Sequence, residues 1–397
     1  MKSTLLAALA LAASSVRPAS AATHDGWSAA WATAMQRPTA NTANWSTTGF
    51  DHQTIRQTIR LSTGGRSLRI RLSNQYGTKP LHLTGVTVGE RHLTAPFHGS
   101  PRTTIAPGRT ITSDPVKIPT VAGEQLTISL YVEGSTGPAT FHEDGLTTTY
   151  ATPGDHLHDD VVGGETSHSV YYLTGVDVTG ATGTVVTFGD SITNGHNSTV
   201  GADRRYSDAL AERLRSRRLG VANVGISGNL LLHELPCFGA QGTSRFESDA
   251  LGQPGVRTVV VEEGENDIWD SEFNFGCGST PRVTADQIVA GYRSMIRSAH
   301  AHGVRIVGAT ITPFKADYMH PADFARAEAI RDQVNSWIRT SGQYDAVADF
   351  ARAVGDPADE QRLNPAYDSG DHLHPNDAGY QALAVVASEA ISGRNQR

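Results

Sequence analysis

The chain is poor in several things at once. It has 2 cysteines in 397 residues, 7% aromatic residues and 18% charged residues. Two cysteines without a C-x-x-C spacing make a poor zinc ligand set, so no metal site is expected from them. Positive charge is also scarce: 33 Lys+Arg against 40 Asp+Glu leave a formal net charge of −7. Phosphate binding needs a clustered basic face, so nucleic acid is not an expected partner. Past the N-terminus no apolar run approaches the ~18 residues of a membrane-spanning helix, so no integral membrane segment is expected. What remains is a soluble globular composition, long enough for two domains or more.

The first residues read as an export signal. Lys2 supplies a short positive region, Leu5 to Ala13 an apolar one too short to cross a bilayer, and Ala19-Ser20-Ala21 a small-residue cleavage site. Residues 1–21 are therefore expected to be removed and the product secreted. In an oxidising compartment Cys237 and Cys277 most simply pair, closing 40 residues of chain; two buried free thiols are the alternative.

Two patterns divide the rest. Over residues 22–180 apolar residues alternate: Leu68, Ile70 and Leu72 around Arg69 and Arg71, then Val86 and Val88, then Leu126, Ile128 and Leu130. Short runs of this kind between Gly, Pro, Asn and Ser clusters predict an all-β sandwich. Arg69 and Arg71 fit the solvated face of a strand, with an anion clamp as the alternative. Over residues 181–397 short unalternating runs (Thr184–Phe188, Val259–Val261, Arg305–Ile311, Ala346–Ala348) alternate with helical patterns, such as Tyr206, Ala209, Leu210 and Leu214. Thr284 and Gln287 form a capping box ahead of one helix, and another opens near Asp377. Strand–helix alternation predicts βαβ units and a parallel sheet, whose ligands bind beyond the carboxyl ends of the strands.

Four segments fall at those ends. Gly189-Asp190-Ser191 puts a serine hydroxyl at a tight strand-to-helix turn, although a serine there can also be a helix cap. Gly228, in Ile226-Ser227-Gly228-Asn229, can offer a bare N–H to a substrate oxygen or can be a plain turn glycine. Asn266, in Gly264-Glu265-Asn266-Asp267, can donate its amide to a developing oxyanion or can belong to an Asn-Asp turn. Glu262, Glu263 and Glu265 crowd the same edge and leave a carboxylate-pair reading open. In Asp371-His372-Leu373-His374, His374 can take a proton from a serine while Asp371, three residues earlier, fixes its tautomer. The same string occurs at Asp155-His156-Leu157-His158, before any strand of the parallel sheet, where a solvated loop or weak metal-binding tract is expected.

In order and spacing these four blocks resemble the SGNH (GDSL) hydrolase superfamily, with Ile192 where the motif's name puts leucine. Thr54-Ile55-Arg56-Gln57, Leu72-Ser73-Asn74 with Tyr76-Gly77, and Tyr367-Asp368-Ser369-Gly370 are similar to a secreted bacterial subgroup. That subgroup carries an N-terminal β-domain and is akin to acetylxylan esterases. The resemblance implies a three-layer α/β domain with a parallel sheet and a Ser191–His374–Asp371 triad. It also implies an oxyanion hole from the N–H groups of Ser191 and Gly228 and the Asn266 amide. No metal or organic cofactor is then required, and the partner is a small-molecule or glycan ester. Other readings to be weighed are a lipase or phospholipase, an acyltransferase, a glycosidase using carboxylates near Glu262, and a carbohydrate-binding protein with an inactive hydrolase domain.

Overall fold

Alternation along Leu68, Ile70 and Leu72 turns each of these side chains inward, where they meet Ile55, Ile128 and Val86 from a facing sheet in one buried cluster. A computed structural model describes residues 26–160, 163–269 and 277–393; the expected export signal lies outside them. One antiparallel sheet orders Trp27–Ala32, Leu173–Thr179, Leu68–Ser73 and Thr110–Thr112. The other runs through Glu165–Ser167, Thr149–Pro153, Asp51–Arg60, Gln125–Ser135, Leu81–Val88 and Leu93–Thr94, with Thr103–Ile105 beside Leu81–Val88.

Several residues of the resemblance prove to be fasteners of this sandwich. The Gln57 amide, fully buried, donates to Tyr171 O at 3.0 Å and accepts from Tyr171 N at 2.7 Å. Asn74 Nδ2 ties together Lys79 O and Ile105 O, both at 2.9 Å. Each satisfies backbone groups that the sheets leave over.

The expectation for Arg69 and Arg71 is corrected. Neither lies on a solvated face, and each is engaged by an internal partner. Both donate to the buried Asp177 on the neighbouring strand, at 2.9 and 3.0 Å, and Arg71 also reaches Gln253 Oε1 at 2.7 Å. The outer face of this sheet meets the C-terminal part of the chain instead of water, so its charges are paired internally.

That second part is built on a five-stranded parallel sheet in the order Leu219–Asn223, Gly183–Gly189, Val256–Glu262, Arg305–Ala309, Ala346–Ala348. The edge strand Leu219–Asn223 escapes sequence reading because Gly220 and Ala222 carry weak strand propensity. Helices Tyr206–Leu214, Ala285–Ala301, Pro321–Thr340 and Asp377–Ser392 cover the sheet. Thr284 caps Ala285–Ala301 as a capping box with Gln287. The chain starts on the second strand from the edge, leaves to one side, and returns to the other. The connections therefore part company around the Gly183–Gly189 strand, and a crevice opens at its carboxyl end.

The two parts share packing. Ala29, Ala32 and Ala34 belong to the same buried cluster as Val186, Phe188 and Ala222. Their small side chains let backbones approach, and Ala29 N donates to Pro254 O at 3.0 Å.

Candidate active site

The first strand ends in Gly189, where the chain passes so close to Glu262 O that any Cβ would collide with it. A short helix, Ser191–Asn194, follows at once, capped by Asp190 Oδ1 on Ile192 N at 3.0 Å. Asp190, not the serine, is the cap, which leaves the Ser191 hydroxyl unspent at the sheet edge. Ser191 Oγ lies 2.8 Å from His374 Nε2. His374 Nδ1 lies 2.6 Å from Asp371 Oδ2. The other oxygen, Asp371 Oδ1, accepts the N–H groups of Leu373 and His374 at 2.9 and 2.8 Å, so the carboxylate is set by its own turn. Asn197 Nδ2 adds a bond to Asp371 Oδ2 at 2.8 Å. His372 faces away and pairs with Asp368 at 2.6 Å.

Electrostatics follow from burial. Burial of Asp371 works to raise its pKa. The hydrogen bond and charge of His374, with the two N–H groups, outweigh this and hold the carboxyl well below its usual range. Burial pulls His374 below the ordinary histidine value; Asp371 opposes this and the charge of His196 adds to it.

Gly228 and Asn266 line the same cavity as Ser191 and His374, a space of about 510 Å³. Gly228 has φ +75°, and a Cβ there would strike the ring of Phe238. Asn266 Nδ2 donates to Asn229 O at 2.9 Å, which fixes the amide plane and leaves its second N–H available. Asp267 pins the facing loop by accepting Leu231 N and Leu232 N at 2.6 and 2.9 Å. Cys237 and Cys277 are disulfide-bonded, with Cα atoms 5.8 Å apart. Phe238, next to Cys237, is the ring that covers Gly228, so the bridge backs the glycine loop.

Sequence reading missed Arg245. Buried to 4% exposure, it donates to Asn229 Oδ1 (2.7 Å), Val224 O (2.7 Å) and Gly189 O (2.9 Å). One guanidinium thus ties together the ends of two strands and the glycine loop. An arginine in a short helix carries no local signal of that role. Also missed were the residues that the β-sandwich sends to the cavity: Thr42, Glu143, Asp144, His168 and Ser169. His142 Nε2 and Asp144 O hold the Asn194 side chain of the serine helix, both at 2.9 Å.

Glu262, Glu263 and Glu265 do not face the cavity; they are 0%, 1% and 3% exposed. Burial pushes all three upward in pKa. Among the described residues, Asp190, Glu262 and Glu265 are the group whose donor atoms converge as metal ligands would. Burial raises Asp190 as well, so the three carboxyl groups lie together, desolvated, behind the serine turn. His156 and His158 lie in a loop of the β-sandwich and do not line the cavity.

No curated protein matches the chain. A GDSL-like lipase from Bacteroides thetaiotaomicron is similar at 17% identity over 53% of this chain and 89% of its own, with TM-score 0.39. An aryl esterase of M. smegmatis is similar at 17% identity, over 53% of this chain and 99% of its own, with TM-score 0.42. An acetylxylan esterase from Geobacillus stearothermophilus is similar at 21% identity, over 53% and 95%, with TM-score 0.39. Residues 187–382 match the model of the GDSL-like lipase/acylhydrolase family. The C-terminal part of the chain is therefore a GDSL-like lipase/acylhydrolase domain, and the protein is a carboxylic ester hydrolase.

Proposed function

We propose that the protein is a secreted serine esterase that removes short acyl groups from carbohydrates through an acyl-enzyme. The observation that carries the mechanism is the continuous chain Ser191 Oγ, His374 Nε2, His374 Nδ1, Asp371 Oδ2, with links of 2.8 and 2.6 Å, at the wall of a cavity. In this reading Ser191 Oγ attacks the ester carbonyl while His374 Nε2 takes its proton. The carbonyl oxygen, now negative, accepts from Ser191 N, Gly228 N and Asn266 Nδ2. His374 then gives its proton to the departing alkoxide, and the alcohol leaves. Water attacks the acyl-enzyme by the same route in reverse, and the acid is released. Asp371 remains ionised throughout and stabilises the imidazolium. No metal or organic cofactor enters any step.

Two features support the carbohydrate side. The cavity mixes acceptors and donors (Glu143, Asp144, His168, His196) with the apolar Phe238 and Leu373, which suits a hydroxylated alcohol better than a long acyl chain. A glycosidase would need two carboxylates flanking a sugar site, roughly 5–10 Å apart; Glu262, Glu263 and Glu265 are instead buried behind the turn. Secretion rests on the Lys2 to Ala21 pattern and agrees with the disulfide. The test is a substrate panel: acetylated xylo-oligosaccharides, p-nitrophenyl esters of rising chain length, and phospholipid. Highest kcat/KM on acetyl esters, with acetylated sugars among them, is the expected result. Preference for long-chain esters or phospholipid would overturn the carbohydrate reading.

A further inference from the structure

Beside the His374 ring stands a second histidine with its own carboxylate. His196 and His374 have ring centroids 4.6 Å apart, tilted by 57°. His196 Nδ1 lies 2.7 Å from Asp144 Oδ2, and Asp144 also accepts from Ser227 Oγ at 3.0 Å. Asp144 comes from the β-sandwich and His196 from the loop after the serine helix, so the pair spans the seam between the two parts. Its hydrogen bond to Asp144 raises His196 above the ordinary histidine value, against the effect of burial. Burial likewise opposes the lowered pKa of Asp144, which the His196 bond and charge prevail in setting. The hydrogen bond and the opposite charges of the two groups thus both favour the imidazolium–carboxylate form of the pair.

With Nδ1 committed, His196 Nε2 has no hydrogen-bond partner among the described residues, and its side chain keeps 42% exposure. Next to Asp144, Glu143 receives Thr42 Oγ1 on Oε1 at 2.7 Å, and its Oε2 has no hydrogen-bond partner among the described residues. Glu143 and His196 line the same cavity, so it presents an imidazole nitrogen and a carboxyl group to whatever occupies it. Their position relative to the reaction follows from the proton path. His374 hands its proton to the leaving oxygen, so the alcohol must lie against the His374 ring, while Gly228 and Asn266 mark the side of the acyl oxygen. A group packed on His374 is a neighbour of the alcohol.

We propose that His196, Asp144 and Glu143 form a subsite for the hydroxyl groups of the leaving alcohol: His196 Nε2–H donates to one alcohol oxygen and Glu143 accepts from another hydroxyl. Asp144 is a positioning residue that holds the His196 ring and fixes which nitrogen faces the substrate. The inference rests on the ester-hydrolase reading and deepens it, because it assigns the β-sandwich the recognition of a polyol. A donor and an acceptor lining one cavity suit an alcohol with more than one oxygen, whereas an alkyl alcohol would leave both without partners, at a cost in transition-state binding.

The test compares two esters of equal acyl group and similar alcohol shape, 1-monoacetylglycerol and its hydroxyl-free isostere 2-methylbutyl acetate. The readout is the ratio of their kcat/KM values for the full-length protein and for His196→Phe, Asp144→Asn and Glu143→Gln. His196→Phe keeps a ring against His374; Glu143→Gln changes a group at the cavity margin and keeps the readout available if another variant misfolds. The ratio is expected to fall by roughly tenfold or more in each variant, in line with the loss of a hydrogen bond to a charged group. A ratio that stays within about twofold of wild type in all three variants, even with both rates reduced together, overturns the subsite, because His196 then acts on His374 or on folding alone. Acetylated xylotriose run alongside separates the two readings. A wild-type enzyme whose ratio responds to the variants but which leaves the acetylated sugar intact refutes the carbohydrate reading and retains the subsite.

Discussion

The string Asp-His-Leu-His occurs twice in this molecule, and the two copies fold alike at first. Asp155 Oδ1 accepts Leu157 N at 3.1 Å, and Asp371 Oδ1 accepts Leu373 N at 2.9 Å, so both begin as the same turn. Thereafter they diverge. In the first copy His156 turns back to Asp159 at 2.7 Å and Pro153 O at 2.8 Å, in a loop of the β-sandwich. In the second, the last histidine swings onto Asp371 and meets Ser191, 183 residues away in sequence. The local sequence encodes the turn, and the place of the turn relative to the ends of the parallel strands decides whether it can do chemistry. The titration of the two copies diverges with them. Its hydrogen bond to Asp159 raises the exposed His156, whereas burial lowers His374.

The comparison breaks most visibly by substitution at its last residue. His374→Ala should lower kcat by several orders of magnitude, because removing the base of such a triad leaves only oxyanion-hole and binding contributions; His158→Ala should stay within a few-fold of wild type in the same steady-state assay. Asp371→Asn against Asp155→Asn should show the same contrast, with a loss of about 10⁴ for the first. Asn266→Ala, which removes a donor fixed at another strand end, should cost about 10²–10³ in kcat with a folded protein by circular dichroism.

Reduction of Cys237–Cys277 should lower the melting temperature, the loop-entropy contribution of a 40-residue separation being roughly 4 kcal/mol. Turnover should fall below that temperature as well, since Phe238 beside Cys237 covers Gly228. The smallest effect is a shift of midpoint. His374 must be neutral to act as base, so kcat/KM should be lost as pH falls through its pKa, with the midpoint below the ordinary histidine value of about 6.5. NMR titration should place His156 above that value. The same order for both histidines would remove the electrostatic half of the contrast.

Much of this was legible in the sequence, and for stated reasons. Unalternating runs such as Val259–Val261 mark strands buried on both faces, and the tight spacing of Gly189-Asp190-Ser191 marks a turn at their carboxyl end. Leu68, Ile70 and Leu72 marked the sandwich because a sheet with one apolar face imposes a two-residue period. What was not legible depends on partners far away in the chain. Arg69 and Arg71 read as solvated because alternation shows which face a side chain takes, not what covers that face; here it is Asp177, with Gln253 beyond it. Arg245 looks like any helix arginine until Val224, Asn229 and Gly189 converge on it. Glu143 and Asp144 follow a two-residue strand, Phe141–His142, and nothing in their neighbours announces a cavity on the far side of the seam.

The central claim is that Ser191, activated by His374, is the nucleophile. A serine-directed phosphonate ester, with the adduct located by peptide mass spectrometry and its rate followed by intact mass, tests this most directly. The account predicts a single adduct on Ser191, no adduct in Ser191→Ala, labelling slowed by orders of magnitude in His374→Ala, and a rate near wild type in His158→Ala. An adduct on another residue, or equal labelling rates in the two histidine variants, would contradict it.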